Sequence, residues 1–109
     1  MTVNILGTEY TITECSENED TLLEKADGYC DKTTKKIVIV KKPEDNELGD
    51  WEVHRKKIMR HEIIHAFLFE SGLHENFRHE EWGHDETYID FVAIQFPKMQ
   101  NAFEAAGCL

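Results

Sequence analysis

The chain has 109 residues, of which 40% are hydrophobic and 31% are charged, a composition typical of one globular domain with a single core. Its formal net charge of −10 repels phosphate groups, so we expect no nucleic-acid partner. No apolar run approaches the roughly 20 residues that span a bilayer, and the first residues lack the pattern of a signal peptide. We therefore expect a cytoplasmic protein that does not contact membranes.

The three cysteines are an odd number without a Cys-x-x-Cys pair, namely Cys15, Cys30 and Cys108. This spacing indicates neither a disulfide framework nor a thiolate zinc site. We expect free thiols in a reducing compartment.

Residues 1–48 are predicted to form a β-rich part. Apolar and polar residues alternate on both sides of Gly7, which predicts two short strands joined by a tight turn. A second hairpin is predicted around residues 31–34, followed by the β-branched run 37–40. We therefore expect a small antiparallel sheet made of two hairpins, while segment 21–26 could be a helical turn or a loop.

A long helix is predicted within residues 50–72. Asp50 is a good N-cap, Glu52 suits the first turn, and Gly72 suits the left-handed position after the last turn, which puts the helix at 51–71. Its second half is apolar on nearly every side, so we expect a buried helix. His54 lies about two turns before His61 and is expected to be solvated or to support the site rather than to bind metal.

This helix carries the motif His-Glu-x-x-His at residues 61–65. Residues four apart lie on one helix face, so His61 and His65 can offer two imidazole nitrogens to one metal ion, for which zinc is the favoured choice. Glu62 is rotated by about 100° and can act on a water at the metal. The alternative is a chance pair of histidines, but buried imidazoles and a buried carboxylate would each need a partner.

A second helical region is predicted over 85–107, with Pro97 ending or kinking the helix and a short last helix at 98–106 stopped by Gly107. Glu86 and Asp90 fall on one face. Glu86 could complete the metal site while Asp90 accepts a hydrogen bond from a ligand imidazole. The alternative is that both carboxylates pair with Lys or Arg.

Residues 73–84 are predicted to be an irregular connection that could form a rim or lid over the site. Phe77 and Trp82 are expected to pack beneath it. His74, His79 and His84 are further candidate ligands, although each is more simply explained as a loop histidine.

Two segments, residues 60–73 and 85–97, resemble zincin-type metallopeptidases and, more narrowly, small phage-encoded proteins akin to the ImmA/IrrE metallopeptidase family. The resemblance implies that Glu86 is the third ligand and that an α+β domain spans residues 1–109, with the active helix beneath the sheet. The chain has Ile89-Asp90 where that family usually has Ala-Asn. Leu68 and Ser71 stand where metzincins have Gly and His, which argues against His74 as a ligand.

We therefore expect a zinc-dependent metallopeptidase in which His61, His65 and Glu86 hold Zn²⁺ and Glu62 is the general base. Its substrate would be a protein or peptide, with a transcriptional regulator as one candidate. Tyr88 or a loop histidine could assist. The alternative is a non-catalytic, zinc-containing interaction or regulatory protein with the same fold.

Overall fold

The computed structural model describes residues 1–72 and 84–106, apart from the side chains of residues 102 and 103. Four strands are followed by two long helices, with one 3₁₀ turn between the second and third strands. Their bounds are β1 Thr2–Ile5, β2 Thr8–Cys15, the 3₁₀ turn Thr21–Glu24, β3 Gly28–Asp31, β4 Lys36–Val40, α1 Trp51–Ser71 and α2 Glu86–Ala106. The fold is thus a compact α+β arrangement of one small mixed sheet and two helices.

The four strands are ordered β1-β2-β4-β3. Both predicted hairpins are confirmed, since β1 pairs with β2 and β3 with β4 in antiparallel fashion. The two hairpins join through β2 and β4, which run parallel from Thr11 opposite Lys36 to Cys15 opposite Val40. The expectation of an antiparallel sheet is therefore wrong at its centre. Turn residues specify strands adjacent in sequence, whereas long-range packing specifies how two hairpins meet.

Both ends of α1 agree with the predicted range 51–71. The Asp50 side chain accepts a hydrogen bond from the Val53 amide at 3.2 Å, and Gly72 has φ 81° with its amide donating to the Phe69 carbonyl. These caps satisfy backbone groups that a helix terminus leaves without partners. The capping residues at the two ends of α1 are therefore sufficient to predict its bounds from the sequence.

One stripe of α1 packs against the sheet. Ile58, Glu62 and Ala66 are its buried residues, spaced one turn apart. Ile58 and Ala66 join a core cluster contributed mainly by the strands, which includes Ile5, Tyr10, Ile12, Ile37 and Ile39. The expectation of burial on every side is wrong, because a four-stranded sheet covers one face only and Phe67 is 41% exposed.

The last turn of α1 is fastened to the sheet by Glu70. Its carboxylate accepts hydrogen bonds from the Tyr10 hydroxyl at 2.7 Å and the Thr8 hydroxyl at 3.1 Å, and it pairs with the Lys35 ammonium at 2.6 Å. These hydrogen bonds lower the pKa of Glu70 below its usual value, and the one from Lys35 has the largest effect, with that from Tyr10 next. This cluster fixes how far along the sheet the helix lies, and so where its histidines stand.

The helix α2 continues through Pro97 to Ala106, so the expectation of a separate helix at 98–106 is wrong. Proline lacks the amide that would donate to the carbonyl four residues earlier, which belongs to Ala93. The Arg60 guanidinium of α1 donates to that carbonyl instead. Arg60 thereby satisfies the group that Pro97 leaves open and ties α2 to α1.

No helix in the described ranges is both long enough and apolar enough to cross a membrane. The expectations for His74, Phe77, His79, Trp82, Gly107 and Cys108 concern residues outside those ranges.

Candidate metal centre

Three predicted ligand residues converge where α1 meets the start of α2. The Nε2 atoms of His61 and His65 lie 3.1 Å apart. The Oε2 atom of Glu86 lies 3.1 Å from the His61 Nε2, and its Oε1 atom lies 3.1 Å from the His65 Nε2. Within the described part of the chain this is the one group of His, Cys, Asp or Glu side chains arranged to hold a metal ion.

The separations suit zinc. Nitrogen and oxygen ligands lie about 2.0–2.2 Å from this ion, so two ligand atoms of a tetrahedral site are about 3.3–3.6 Å apart. The observed distances of 3.1 Å are slightly shorter than that range, and the two that involve Glu86 each use a different oxygen of its carboxylate. Two imidazoles and a carboxylate also match the donor set of catalytic zinc sites, which use three protein ligands and leave a fourth position open.

The hydrogen bond to Asp90 determines which ring nitrogen of His61 faces the other two predicted ligands. The Asp90 Oδ1 lies 2.8 Å from the His61 Nδ1, and an ionised carboxylate can only accept, so the Nδ1 carries the proton. The Nε2 of His61 then faces Glu86 at 3.1 Å. Acceptor atoms this close repel one another unless a proton or a metal ion lies between them.

His65 is kept neutral by its surroundings. Burial lowers its pKa, and the neighbouring His61 and His84 lower it further against the opposing effect of Glu86. Its Nδ1 lies 3.0 Å from the Nδ1 of His84, and the two rings are stacked at 11°. A neutral imidazole is the form that binds metal.

His84 is a site residue whose position the sequence left open. It lies against the second nitrogen of His65 and not at the point where the three ligands meet. The sequence did contain a signal, because His84 precedes Glu86 by two residues. If Glu86 reaches the metal, the backbone before it must pass close to the ligand histidines.

The start of α2 aims Glu86 at α1. The Asp85 carboxylate accepts a hydrogen bond from the Tyr88 amide at 2.9 Å, an N-cap interaction that begins the helix at Glu86. Asp90 follows Glu86 by four residues and thus lies one turn further along the same face. One short segment therefore supplies both a ligand and the carboxylate that orients another ligand.

Glu62 is buried beside the ligands, with 6% of its surface exposed. Its Oε1 lies 3.9 Å from the His61 Nε2. Burial raises the pKa of Glu62 to about 7; His61 opposes this rise and the nearby Glu86 adds to it. A carboxyl group with such a pKa can both accept and release a proton near neutral pH.

Gly28 allows β3 to approach α1 at this point. A Cβ atom at Gly28 would lie 3.0 Å from the Val38 carbonyl oxygen, 3.1 Å from the Ile58 Cγ2 and 3.2 Å from the Glu62 Cγ. These distances are shorter than carbon contacts in ordinary packing. The glycine therefore lets the edge strand run directly over the side chain of Glu62.

The space between β3, α1 and the start of α2 is a groove of about 490 Å³. We call it the metal-site groove. The described residues that line it come from β3 and the two residues before it, from α1 and from the first turns of α2. They are Ala26, Asp27, Gly28, Tyr29, Cys30, Lys57, Ile58, His61, Glu62, His65, Phe69, Glu86 and Asp90. The converging ligand atoms are thus accessible to a molecule much larger than water.

The remaining candidates do not join the ligands. The His54 Nε2 lies 3.0 Å from the Asp27 carboxylate, which links α1 to the residue before β3. Tyr88 is 61% exposed and does not line the metal-site groove. Cys15 and Cys30 are free thiols, and burial raises the pKa of Cys30 to about 12, so it is neither a thiolate ligand nor a nucleophile at neutral pH.

The centre therefore combines three side chains that could hold a metal ion, one buried carboxyl group able to exchange a proton, and an adjoining groove. No family model, curated protein or solved structure matches this chain.

Proposed function

We propose that this protein is a zinc-dependent peptidase of the zincin type, akin to the ImmA/IrrE family. The observation that carries the proposal is the mutual 3.1 Å spacing of His61, His65 and Glu86, with Glu62 buried beside them on the same helix. A purely structural zinc usually has four protein ligands and needs no adjacent base. Three ligands next to a carboxyl group of raised pKa favour catalysis.

The chemistry divides between the metal and Glu62. Zinc held by His61, His65 and Glu86 would supply a Lewis acid that polarises a carbonyl group and lowers the pKa of water toward about 7. Glu62 accepts the proton of the attacking water and returns it to the leaving amine. Its pKa of about 7 suits both steps, since neither protonation state is strongly disfavoured at neutral pH. Asp90 keeps the His61 ring in the tautomer that binds metal.

A peptide is the substrate class that best fits the metal-site groove. One of its walls is β3, the edge strand of the sheet, whose outer side pairs with no other strand of the described chain. An unpaired strand edge binds an extended peptide through main-chain hydrogen bonds. Such binding would lay the peptide along α1, across His61 and His65.

The family resemblance suggests a protein substrate, with a transcriptional regulator as one candidate. We further propose that the protein acts in the cytoplasm. The two free thiols within the described ranges are compatible with a reducing compartment. The α1 helix packed on one face of the sheet is likewise compatible with the zincin arrangement.

Replacing the proposed base tests the function. Zinc-loaded wild-type protein and the Glu62→Gln variant are incubated with a random peptide pool, and new termini are counted by mass spectrometry. We expect cleavage by the wild type and a loss of about 10²-fold or more in the variant, because general-base catalysis contributes about that much. Zinc content should not change, and Glu9→Gln, an exposed carboxylate on β2, should cleave like the wild type.

Two results would contradict the proposal. Cleavage that survives Glu62→Gln would mean that Glu62 is not the base. If the zinc-loaded wild type binds peptides but cuts none, the non-catalytic interaction protein becomes the better account.

A further inference from the structure

Lys57 is the one lysine or arginine of the described chain that lines the metal-site groove. It precedes His61 by four residues on α1 and so lies on the same face, about 6 Å from it along the helix axis. An extended peptide rises about 3.3 Å per residue, so this distance corresponds to roughly two residues of bound substrate. The Lys57 side chain is therefore within reach of a peptide whose scissile bond lies at the metal.

The ammonium group of Lys57 has no partner in residues 1–72 and 84–106, where no ion pair or hydrogen bond involves it. The two arginines of α1 are engaged, because Arg55 pairs with Glu14 and Arg60 donates to the Ala93 carbonyl. Lys57 is thus available to a ligand in a way that these two arginines are not.

The carboxylates of the groove are already engaged or buried. Asp27 bonds His54, Asp90 bonds His61, Glu86 meets both ligand histidines and Glu62 is buried. Lys57 also lines a second cavity of about 320 Å³, so its side chain borders two spaces that a ligand could occupy. In a chain of net charge −10, an unpaired cation at this position gives an acidic peptide one local point of attraction.

We propose that Lys57 determines specificity by pairing with a carboxylate of the bound peptide about two residues from the scissile bond. This rests on the proposed peptidase function. The carboxylate can belong to an Asp or Glu side chain or to the free C-terminus of the peptide, since the two groups have the same charge and the same acceptor atoms. The pairing selects substrates and takes no part in the chemical step.

The test measures binding separately from cleavage. Fluorescein-labelled octapeptides of Ala and Val, amidated at the C-terminus, carry one Glu at each position in turn, and matched peptides carry Gln instead. A third series has no Glu but a free C-terminal carboxylate. Fluorescence anisotropy gives the dissociation constants for zinc-loaded protein, with Glu62→Gln in every sample so that the peptides stay intact.

We expect peptides with Glu to bind about 2- to 5-fold more tightly than those with Gln at one or two positions, the range for a partly exposed ion pair. The preference should shrink at high salt. Lys57→Met keeps the aliphatic stem and should bring the ratio near one, while Lys57→Glu should favour a peptide with Lys at that position. Lys56→Met, which removes an exposed charge outside the groove, should retain the wild-type ratio.

The possible results distinguish a failure of the Lys57 assignment from a failure of the proposed peptidase function. If the free-acid series alone shows the preference and Lys57→Met abolishes it, the partner is the chain terminus and the pairing stands. If peptides bind with no carboxylate preference, or if Lys57→Met keeps the preference, the assignment of Lys57 is wrong while the peptidase function survives. If no peptide of any series binds, both are contradicted.

Discussion

The two imidazoles of the candidate metal site, His61 and His65, differ in the group that lies against their Nδ1 atom. A carboxylate, Asp90, holds the Nδ1 of His61 at 2.8 Å, whereas another imidazole, His84, lies 3.0 Å from the Nδ1 of His65. A carboxylate raises the basicity of the histidine that it binds more strongly than a neutral group does. We infer that the ring of His61 is the more firmly oriented of the two.

Removing Asp90 should therefore weaken metal binding without unfolding the protein. Asp90 is half-buried, and among the described residues its side chain hydrogen-bonds His61. We expect Asp90→Ala to raise the zinc dissociation constant by about 10- to 100-fold, the usual effect of losing such a partner. Competition with a chromophoric chelator measures the constant. The control is Glu104→Gln, an exposed carboxylate on the same helix, and equal affinities for the two variants would contradict the role given to Asp90.

Glu62 should make the stability of metal-free protein depend on pH. Its pKa is about 7 in the folded chain and near 4.5 when unfolded, so the folded state binds the proton more tightly. The free energy of unfolding therefore falls as pH rises from about 4.5 to 7. A difference of about 2.5 pH units corresponds to roughly 3 kcal/mol at most.

The Glu62→Gln variant lacks this titration. In chelator-treated samples we expect wild type and variant to have similar unfolding free energies near pH 4.5, and the variant to be more stable by up to about 3 kcal/mol above pH 7. Urea unfolding across that range measures the difference. A difference that stays constant with pH would mean that the burial of Glu62 does not raise its pKa.

For individual residues, the sequence alone predicts relative position where two residues lie within a turn of the same helix. His61, Glu62 and His65 lie within a turn of one helix, and Glu86 and Asp90 lie within a turn of another. Their relative positions therefore follow from helix geometry. Gly28 and Lys57 gave no such signal, because their importance depends on which strand passes over which helix face.

The approach of β3 to α1 depends on the absence of a side chain at Gly28. Gly28→Ala would place a Cβ 3.0 Å from a backbone oxygen of β4 and 3.1–3.2 Å from two side chains of α1. Either the strand or the helix must shift, and we expect a loss of about 1–3 kcal/mol in unfolding free energy. Thermal or urea unfolding measures it.

Cleavage by this variant should also fall, because Glu62 is one of the displaced side chains. Gly49→Ala is the matched control, since a Cβ at Gly49 has no atom within 4 Å. Equal stability of the two variants would contradict the close packing of β3 on α1.

At the scale of helices and strands, the sequence predicts those features that nearby residues determine. It does not predict the features that depend on packing between distant segments. Asp50 and Gly72 cap the two ends of α1, and both can be recognised in the sequence. The parallel pairing of β2 with β4 joins strands separated by more than twenty residues, and no turn residue encodes it. The continuation of α2 through Pro97 depends on Arg60, which lies more than thirty residues earlier.

At the scale of the whole molecule, few polar contacts attach α2 to α1 within the described residues, and most of them lie at the candidate metal centre. The described polar side-chain contacts of α2 with α1 are those of Glu86 and Asp90 with the histidines and the Arg60 bond to Ala93. The outer face of α2 exposes Tyr88, Phe91, Ile94 and Phe96. A metal that binds His61, His65 and Glu86 together links both helices and adds its binding free energy to that of folding.

Calorimetric titration of zinc into metal-free protein tests most directly whether His61, His65 and Glu86 form one zinc site. We predict one equivalent bound per chain for the wild type and no saturable binding for the double variant His61→Ala/His65→Ala. A wild type that binds no zinc, or a double variant that still binds one equivalent, would contradict the account.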